Sequence, residues 1–147
     1  VALGMKLVRV SPGEAVIRAP YQAESISDPE TGVMHGGVVT ALLDHACGTA
    51  AFAGLGGDQA VATLDLRLDY MRPPKPGCDV IAEARTIKVS GLIAFVSAIA
   101  HDGDQNDPVA TAHAAFMVTK ASQAAAERAR AEVEQHMASE KAGGAAS

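Results

Sequence analysis

The stretch from Gly36 to Ala53 constrains what the rest of this chain can be. It opens on two adjacent glycines, Gly36 and Gly37, and then carries apolar residues at Val38, Val39, Ala41, Leu42, Leu43, Ala46, Cys47, Ala50, Ala51 and Phe52. The pattern predicts a helix from about Gly37 to Ala53, stopped by the run Gly54-Leu55-Gly56-Gly57-Asp58. A helix that is apolar nearly all round must be wrapped on several sides. A strongly curved sheet around it fits.

The flanking segments read as the strands of that sheet. Met5–Val10 and Glu14–Ala19, with Ser11-Pro12-Gly13 between them, read as an antiparallel hairpin. Pro20–Gly32 reads as loop, since Pro20, Asp28-Pro29 and Thr31-Gly32 all break or turn a chain. Ala60–Tyr70 alternates after Thr63, with Leu64, Leu66, Leu68 and Tyr70 on one face and Asp65, Arg67 and Asp69 on the other. The run Arg72-Pro73-Pro74-Lys75-Pro76-Gly77 belongs to a turn or an edge. Asp79–Val89 and Leu92–His101 are long strands joined by a tight turn at Ser90-Gly91, and Pro108–Thr119 is the last strand. The expected class is α+β: two strands, one long helix, then four strands in a meander, forming a curved antiparallel sheet wrapped around one central helix. The expected domain is 1–119. Residues 120–147 form an Ala-rich extension, with a helix over Gln123–Met137 and disorder from Lys141 to Ser147.

Composition excludes several functions. A net charge of −5 with no basic stripe argues against a nucleic-acid partner. No apolar run is long enough to span a bilayer, and Val1-Ala2-Leu3-Gly4-Met5-Lys6 lacks a signal-peptide core. Cys47 and Cys78 are far apart and not in a CxxC pair, which reads as reduced thiols. A soluble cytoplasmic protein is the expectation.

The chemistry sits in the helix. N–H groups at a helix start have no intrahelical partner and favour negative charge in front of them. Asp44 interrupts the apolar run and supplies an acid. Donors at a helix start and an acid in apolar surroundings suit carbonyl chemistry. Gly36 and Asp44 lie about 12 Å apart along a helix. That is too far for one chain's pair to act on one carbonyl. Either they are unrelated, or the glycines of one subunit work with the aspartate of another, as a two-fold dimer permits.

These pieces together resemble the hotdog-fold acyl-CoA thioesterases of the phenylacetyl-CoA (PaaI-like) type over about residues 3 to 119. The matching segments are Gly32-Val33-Met34-His35-Gly36-Gly37, Asp44, the strand Ala62-Thr63-Leu64-Asp65-Leu66-Arg67-Leu68-Asp69-Tyr70-Met71-Arg72-Pro73, Ser90-Gly91, and Ala114-Ala115-Phe116-Met117-Val118. The resemblance implies hydrolysis of an acyl- or aryl-CoA thioester, with coenzyme A as part of the substrate and no other cofactor. It implies Gly36 as the backbone donor to the thioester carbonyl and Asp44 of the neighbouring subunit as base or nucleophile. Thr63 would support the acid or the water, and the assembly would be a homodimer, commonly a dimer of dimers. Two positions depart from the family pattern: Pro29 stands where many members have an asparagine that holds the attacking water, and Leu92 where many have a basic residue.

Each candidate has a plainer reading. Asp44 could be an ordinary helix carboxylate. Gly36 and Gly37 could serve backbone torsion alone. His35, a catalytic candidate by position, is more readily a structural residue of the turn. Arg72 and Pro73, with Lys75, either form solvated surface or contact the nucleotide phosphates of coenzyme A. Ser90-Gly91 is first of all a turn. Cys47 reads as packing, and a triad from Asp44, His45 and Cys47 fails because near neighbours on one helix face different ways. Asp102, Asp104 and Asn106 imitate a calcium loop, but Asp107 stands in place of its glycine, and no metal site is expected. The rival functions are a non-catalytic hotdog module that binds acyl-CoA, and a hotdog dehydratase or hydratase.

Overall fold

The computed structural model describes residues 3–55, 59–120 and 123–145. The elements are β1 (Lys6–Ser11), β2 (Glu14–Ala19), β3 (Ile26–Asp28), β4 (Val33–Met34), α1 (Gly36–Ala53), β5 (Gln59–Tyr70), β6 (Val80–Ser90), β7 (Ile93–His101), β8 (Ala110–Lys120) and α2 (Gln123–Ala145). Six strands form one antiparallel sheet in the order β1-β2-β6-β7-β8-β5. The sheet curls so far that α1 touches all six strands. Val38, Val39, Leu42, Leu43, Ala46, Cys47, Ala50 and Ala51 are buried on it.

The inner face of the sheet is lined by small residues. Ala15, Ala82, Ala84, Ala98, Ala100 and Ala112 are all buried under the helix. Small side chains let the helix sit close to a tightly curved sheet, and Ile17, Val80, Val96 and Phe116 fill the remaining depth. Gly48 serves the same end, since a Cβ there would lie 3.5 Å from the Phe116 ring.

Four expectations need correction. The last four strands are not one meander: β6, β7 and β8 are, but β5 pairs with β8 at the far edge. The Pro-rich connection after β5 is long enough to cross the sheet, so β5 need not pair with the next strand. The loop 20–32 contains a short 3-10 turn at Ala23–Ser25 and the strand β3, which pairs with β4. Its turn puts exposed Pro29 after Asp28, whose carbonyl accepts the Gly32 N–H at 2.8 Å. Third, α2 continues to Ala145, so Lys141–Ala145 is helical rather than disordered. Residues 56–58 of the expected helix stop and 146–147 of the expected tail lie outside the described residues.

The fourth correction concerns β5. Its pairing with β8 slips between Thr63 and Asp65, where Leu64 is an extra residue. Thr63 pairs with the buried Phe116, while Leu66, Leu68 and Tyr70 pair with Ala114, Ala112 and Ala110. Leu64 therefore leaves the face it was expected to share and is 51% exposed. The bulge reverses the alternation and turns Thr63 toward the helix.

Candidate active site

α1 carries two polar centres, one at its start and one at its middle. At the start, His35 is the cap residue, and its side chain makes no cap hydrogen bond. The His35 N–H donates to the Ser25 carbonyl at 2.8 Å, and its own carbonyl accepts the Val38 N–H at 3.0 Å. Among the described residues the N–H groups of Gly36 and Gly37 have no acceptor. Both glycines are exposed, and nothing lies within 4 Å of a Cβ built on Gly37. The loop before the helix is pinned by Tyr21, whose hydroxyl donates to the Gly32 carbonyl at 2.6 Å. Gly32 needs its left-handed backbone (φ +70°) there, and a Cβ would come within 3.0 Å of that hydroxyl.

At the middle, Asp44 is half-buried and faces a groove of about 960 Å³. Its Oδ1 accepts a hydrogen bond from Thr63 Oγ1 at 3.0 Å. The bulge at Leu64 makes this contact possible, because regular alternation would aim Thr63 away from the helix if Leu66 faced it. The groove has a mixed lining: the polar Asp44, His45 and Thr63, the apolar Phe52, Val61 and Phe116, and Val133 and His136 from α2. This size suits a small-molecule site.

Cys47, three residues further along the helix, is fully buried. Burial, with a smaller effect of the nearby Asp44 charge, pushes its thiol up to about 12. It stays a neutral packing group and is no nucleophile.

The remaining candidates are placed away from this groove. Arg72 is engaged within its own chain. Its fork makes a bidentate pair with Asp102 at 2.8 and 2.7 Å. It also donates to the Asp107 carbonyl at 2.8 Å and the Pro73 carbonyl at 3.1 Å, and its Nε lies 3.2 Å from the Asp107 carboxylate. The four terminal N–H groups are thus taken within the chain, and among the described residues the Nε is buried without a hydrogen bond of its own. The Asp102 side chain is only 2% exposed and also accepts the Lys75 N–H at 2.8 Å. The Arg72 hydrogen bonds hold the Asp102 carboxyl far below the ordinary carboxylate range and raise the guanidinium in turn. The loop that imitates a calcium site thus folds onto an arginine. Pro73 is exposed beside this clasp. Ser90 ends β6 and Gly91 (φ +60°) makes the turn into β7; both are exposed at the hairpin tip.

Sequence reasoning missed three contributors. Tyr70 Oη donates to the Gly36 carbonyl at 2.7 Å. Ser25 anchors the helix start through its carbonyl. Val133 and His136 reach the groove from a segment that read as a surface extension. A tyrosine closing an alternating strand gave a weak local signal; the other two depend on contacts distant in sequence.

One curved antiparallel sheet closed around a single long helix, with glycines at the helix start and an acid on its open side, is the hotdog fold. Residues 31–109, more than half of the chain, match the thioesterase superfamily, and the chain belongs to that family. It is 35% identical over 94 residues to a protein named as an esterase from Halobacterium salinarum, covering 62% of this chain and 61% of that one. It is 29% identical over 91 residues to human acyl-coenzyme A thioesterase 13, covering 62% of this chain and 63% of that protein. The chain thus spans about three fifths of these curated relatives. A solved structure of a mutant phenylacetic acid degradation protein PaaI from Thermus thermophilus superposes with a TM-score of 0.68 at 29% identity, over 79% of this chain and 94% of that one. The expected hotdog fold and PaaI-like kinship are borne out.

Proposed function

We propose that the chain is an acyl-CoA thioesterase whose site is completed between two copies. The observation that carries this reading is the Thr63–Asp44 hydrogen bond at the groove, 3.0 Å long, on the helix that also presents the open Gly36-Gly37 start. The acyl-CoA thioesterase named among the relatives supports the substrate class.

Strand β5 supports the pairing of two copies. Among the described residues it is an edge strand of 12 residues, bonded only to β8. An edge that long invites a second strand. Thr63, near one end, holds Asp44; Tyr70, at the other, holds Gly36. The two lie roughly 20 Å apart along the strand. Antiparallel pairing of β5 with its own copy about Leu66 and Arg67 sets Thr63 opposite the second copy's Tyr70. That brings the acid of one chain to the helix start of the other, which one chain cannot do for itself.

In this reading the thioester carbonyl accepts from the Gly36 N–H, and the helix start stabilises the developing oxyanion. Asp44 of the other copy either takes a proton from the attacking water or attacks the carbonyl directly to form a mixed anhydride, which water then opens. Thr63 holds the carboxylate in place for either course. The carbon–sulfur bond breaks, and coenzyme A leaves as a thiol after taking up a proton. No metal or redox group enters this scheme. His35 contributes its backbone, and its exposed side chain is given no step.

Exposed Pro29 favours a second reading. It offers no side-chain donor where the family pattern has an asparagine, as would suit a module that binds acyl-CoA without hydrolysing it. Thiol release from short-chain, long-chain and aryl-CoA thioesters separates the two, with wild type beside Asp44→Asn. Release by the wild type alone is the expected result. Saturable binding without release supports the binding module and overturns the enzyme.

A further inference from the structure

Tyr70 is 52% exposed at the end of an edge strand, yet its hydroxyl is fully engaged. It donates to the Gly36 carbonyl at 2.7 Å and touches Thr40 Oγ1, which itself lies 3.2 Å from the same carbonyl. The ring lies beside the Gly36 backbone, 3.8–3.9 Å from where a Cβ would be. A first-turn helix carbonyl ordinarily accepts the N–H four residues ahead. Two further hydroxyls at that oxygen exceed what a helix requires.

These hydroxyls fix a plane. The Gly36 carbonyl and the Gly37 N–H belong to one rigid peptide unit, so holding the oxygen aims the hydrogen. Upstream, the His35 N–H is held by the Ser25 carbonyl at 2.8 Å. Between these two restraints sit adjacent glycines, whose backbone is otherwise the least restrained of any residue pair. Donation into the Gly36 carbonyl also polarises the peptide and strengthens its N–H as a donor.

We propose that Tyr70, with Thr40 behind it, is a positioning residue that locks the Gly36–Gly37 peptide so that the Gly37 N–H faces the thioester carbonyl as a second donor beside the Gly36 N–H. This rests on the thioesterase reading above. Preorganised donors stabilise an oxyanion because they need no rearrangement as charge develops. The hydroxyl's effect is therefore on turnover, and ground-state binding of the coenzyme A thioester is left nearly as it was.

The test compares wild type, Tyr70→Phe, Thr40→Val and Thr40→Ser in steady-state thiol release, with thermal midpoints and amide hydrogen exchange alongside. Tyr70→Phe should lose roughly tenfold or more in kcat at an unchanged KM and an unchanged midpoint. Thr40→Val should lose less, and Thr40→Ser, which keeps the hydroxyl, should restore wild-type turnover. The β5 amides should keep their exchange protection in Tyr70→Phe, so that the loss of turnover is not a loss of the strand. Wild-type kcat in Tyr70→Phe, or a loss that only follows a lowered midpoint, overturns the inference while an inactive Asp44→Asn leaves the thioesterase reading standing. A wild type that releases no thiol overturns both.

Discussion

Arg72 and Asp44 are both charged groups positioned by the same strand and its extension, and the fold treats them in opposite ways. The four terminal N–H groups of Arg72 are answered by Asp102 or a neighbouring carbonyl, and its buried Nε lies 3.2 Å from the Asp107 carboxylate without a hydrogen bond. Among the described residues Asp44 has one side-chain hydrogen bond, from Thr63, and it also lines the groove. A saturated cluster has no capacity for a ligand. Its contribution is to tie the Pro-rich crossover after β5 to the loop between β7 and β8. A carboxylate with unused acceptor positions at a groove keeps them open to water or to a ligand. Read from the sequence, both residues were candidates for the same site; their degree of satisfaction separates them.

The comparison can be broken most directly at Asp44. Asp44→Asn should lower kcat by about 10³-fold or more, within the range of a lost general base or nucleophile, with no loss of thermal stability. A large fall in midpoint instead would make Asp44 a structural residue like Arg72. Arg72→Ala should do the reverse. Leaving the buried Asp102 unpaired should cost about 3–5 kcal/mol in denaturant unfolding, while kcat per folded molecule stays near wild type. Unchanged stability with a raised KM would restore Arg72 to the coenzyme A site.

Thr63→Val keeps the shape of the side chain and removes one hydrogen bond to the acid. It should cost about 1.5–3 kcal/mol of transition-state stabilisation, seen as a lower kcat/KM. The clasp also sets a pH dependence. The folded Asp102 resists protonation because Arg72 holds it, whereas the unfolded residue takes up a proton near pH 4. Stability from this group is therefore complete above about pH 4 and declines as the pH falls further. Asp102→Asn should flatten that decline in acid unfolding curves. The smallest effect concerns α2. A chain ending at Lys120 lacks Val133 and His136 from the groove lining, and should change KM for long acyl groups by only a few fold, equivalent to about 1 kcal/mol or less. Identical KM values would remove α2 from the site.

Much of this architecture was legible locally. An all-round apolar helix demands a wrapping sheet, and the alternation along Ala60–Tyr70 with the turn-bounded runs on either side of the helix supplied its strands. The partner of β5 was not legible, because alternation tells which face a residue takes and says nothing about which strand lies alongside. The bulge was hidden for a subtler reason: Leu64 continues the leucine pattern of Leu66 and Leu68, so the sequence alternates smoothly across a residue that the sheet expels. Asp44 and the glycines were visible as polar interruptions in an apolar run, whereas Asp102 lies 30 residues from Arg72 and no local pattern joins them. The length of α2 had a signal, since Ala138, Glu140, Lys141 and Ala142 are strong helix formers, and only Gly143 and Gly144 weigh against it.

The alanines beneath α1 carry a consequence for how such a chain can diversify. With the helix seated this close to the sheet, a bulky guest cannot slip under it without prising the two layers apart. Whatever the molecule recognises must be read at the rim: on the outward side of the helix, along the exposed strand, and from whatever drapes over them. Those rim positions tolerate substitution without disturbing the close-set interior. Preference for one guest over another can thus drift from descendant to descendant while the hull they share stays the same.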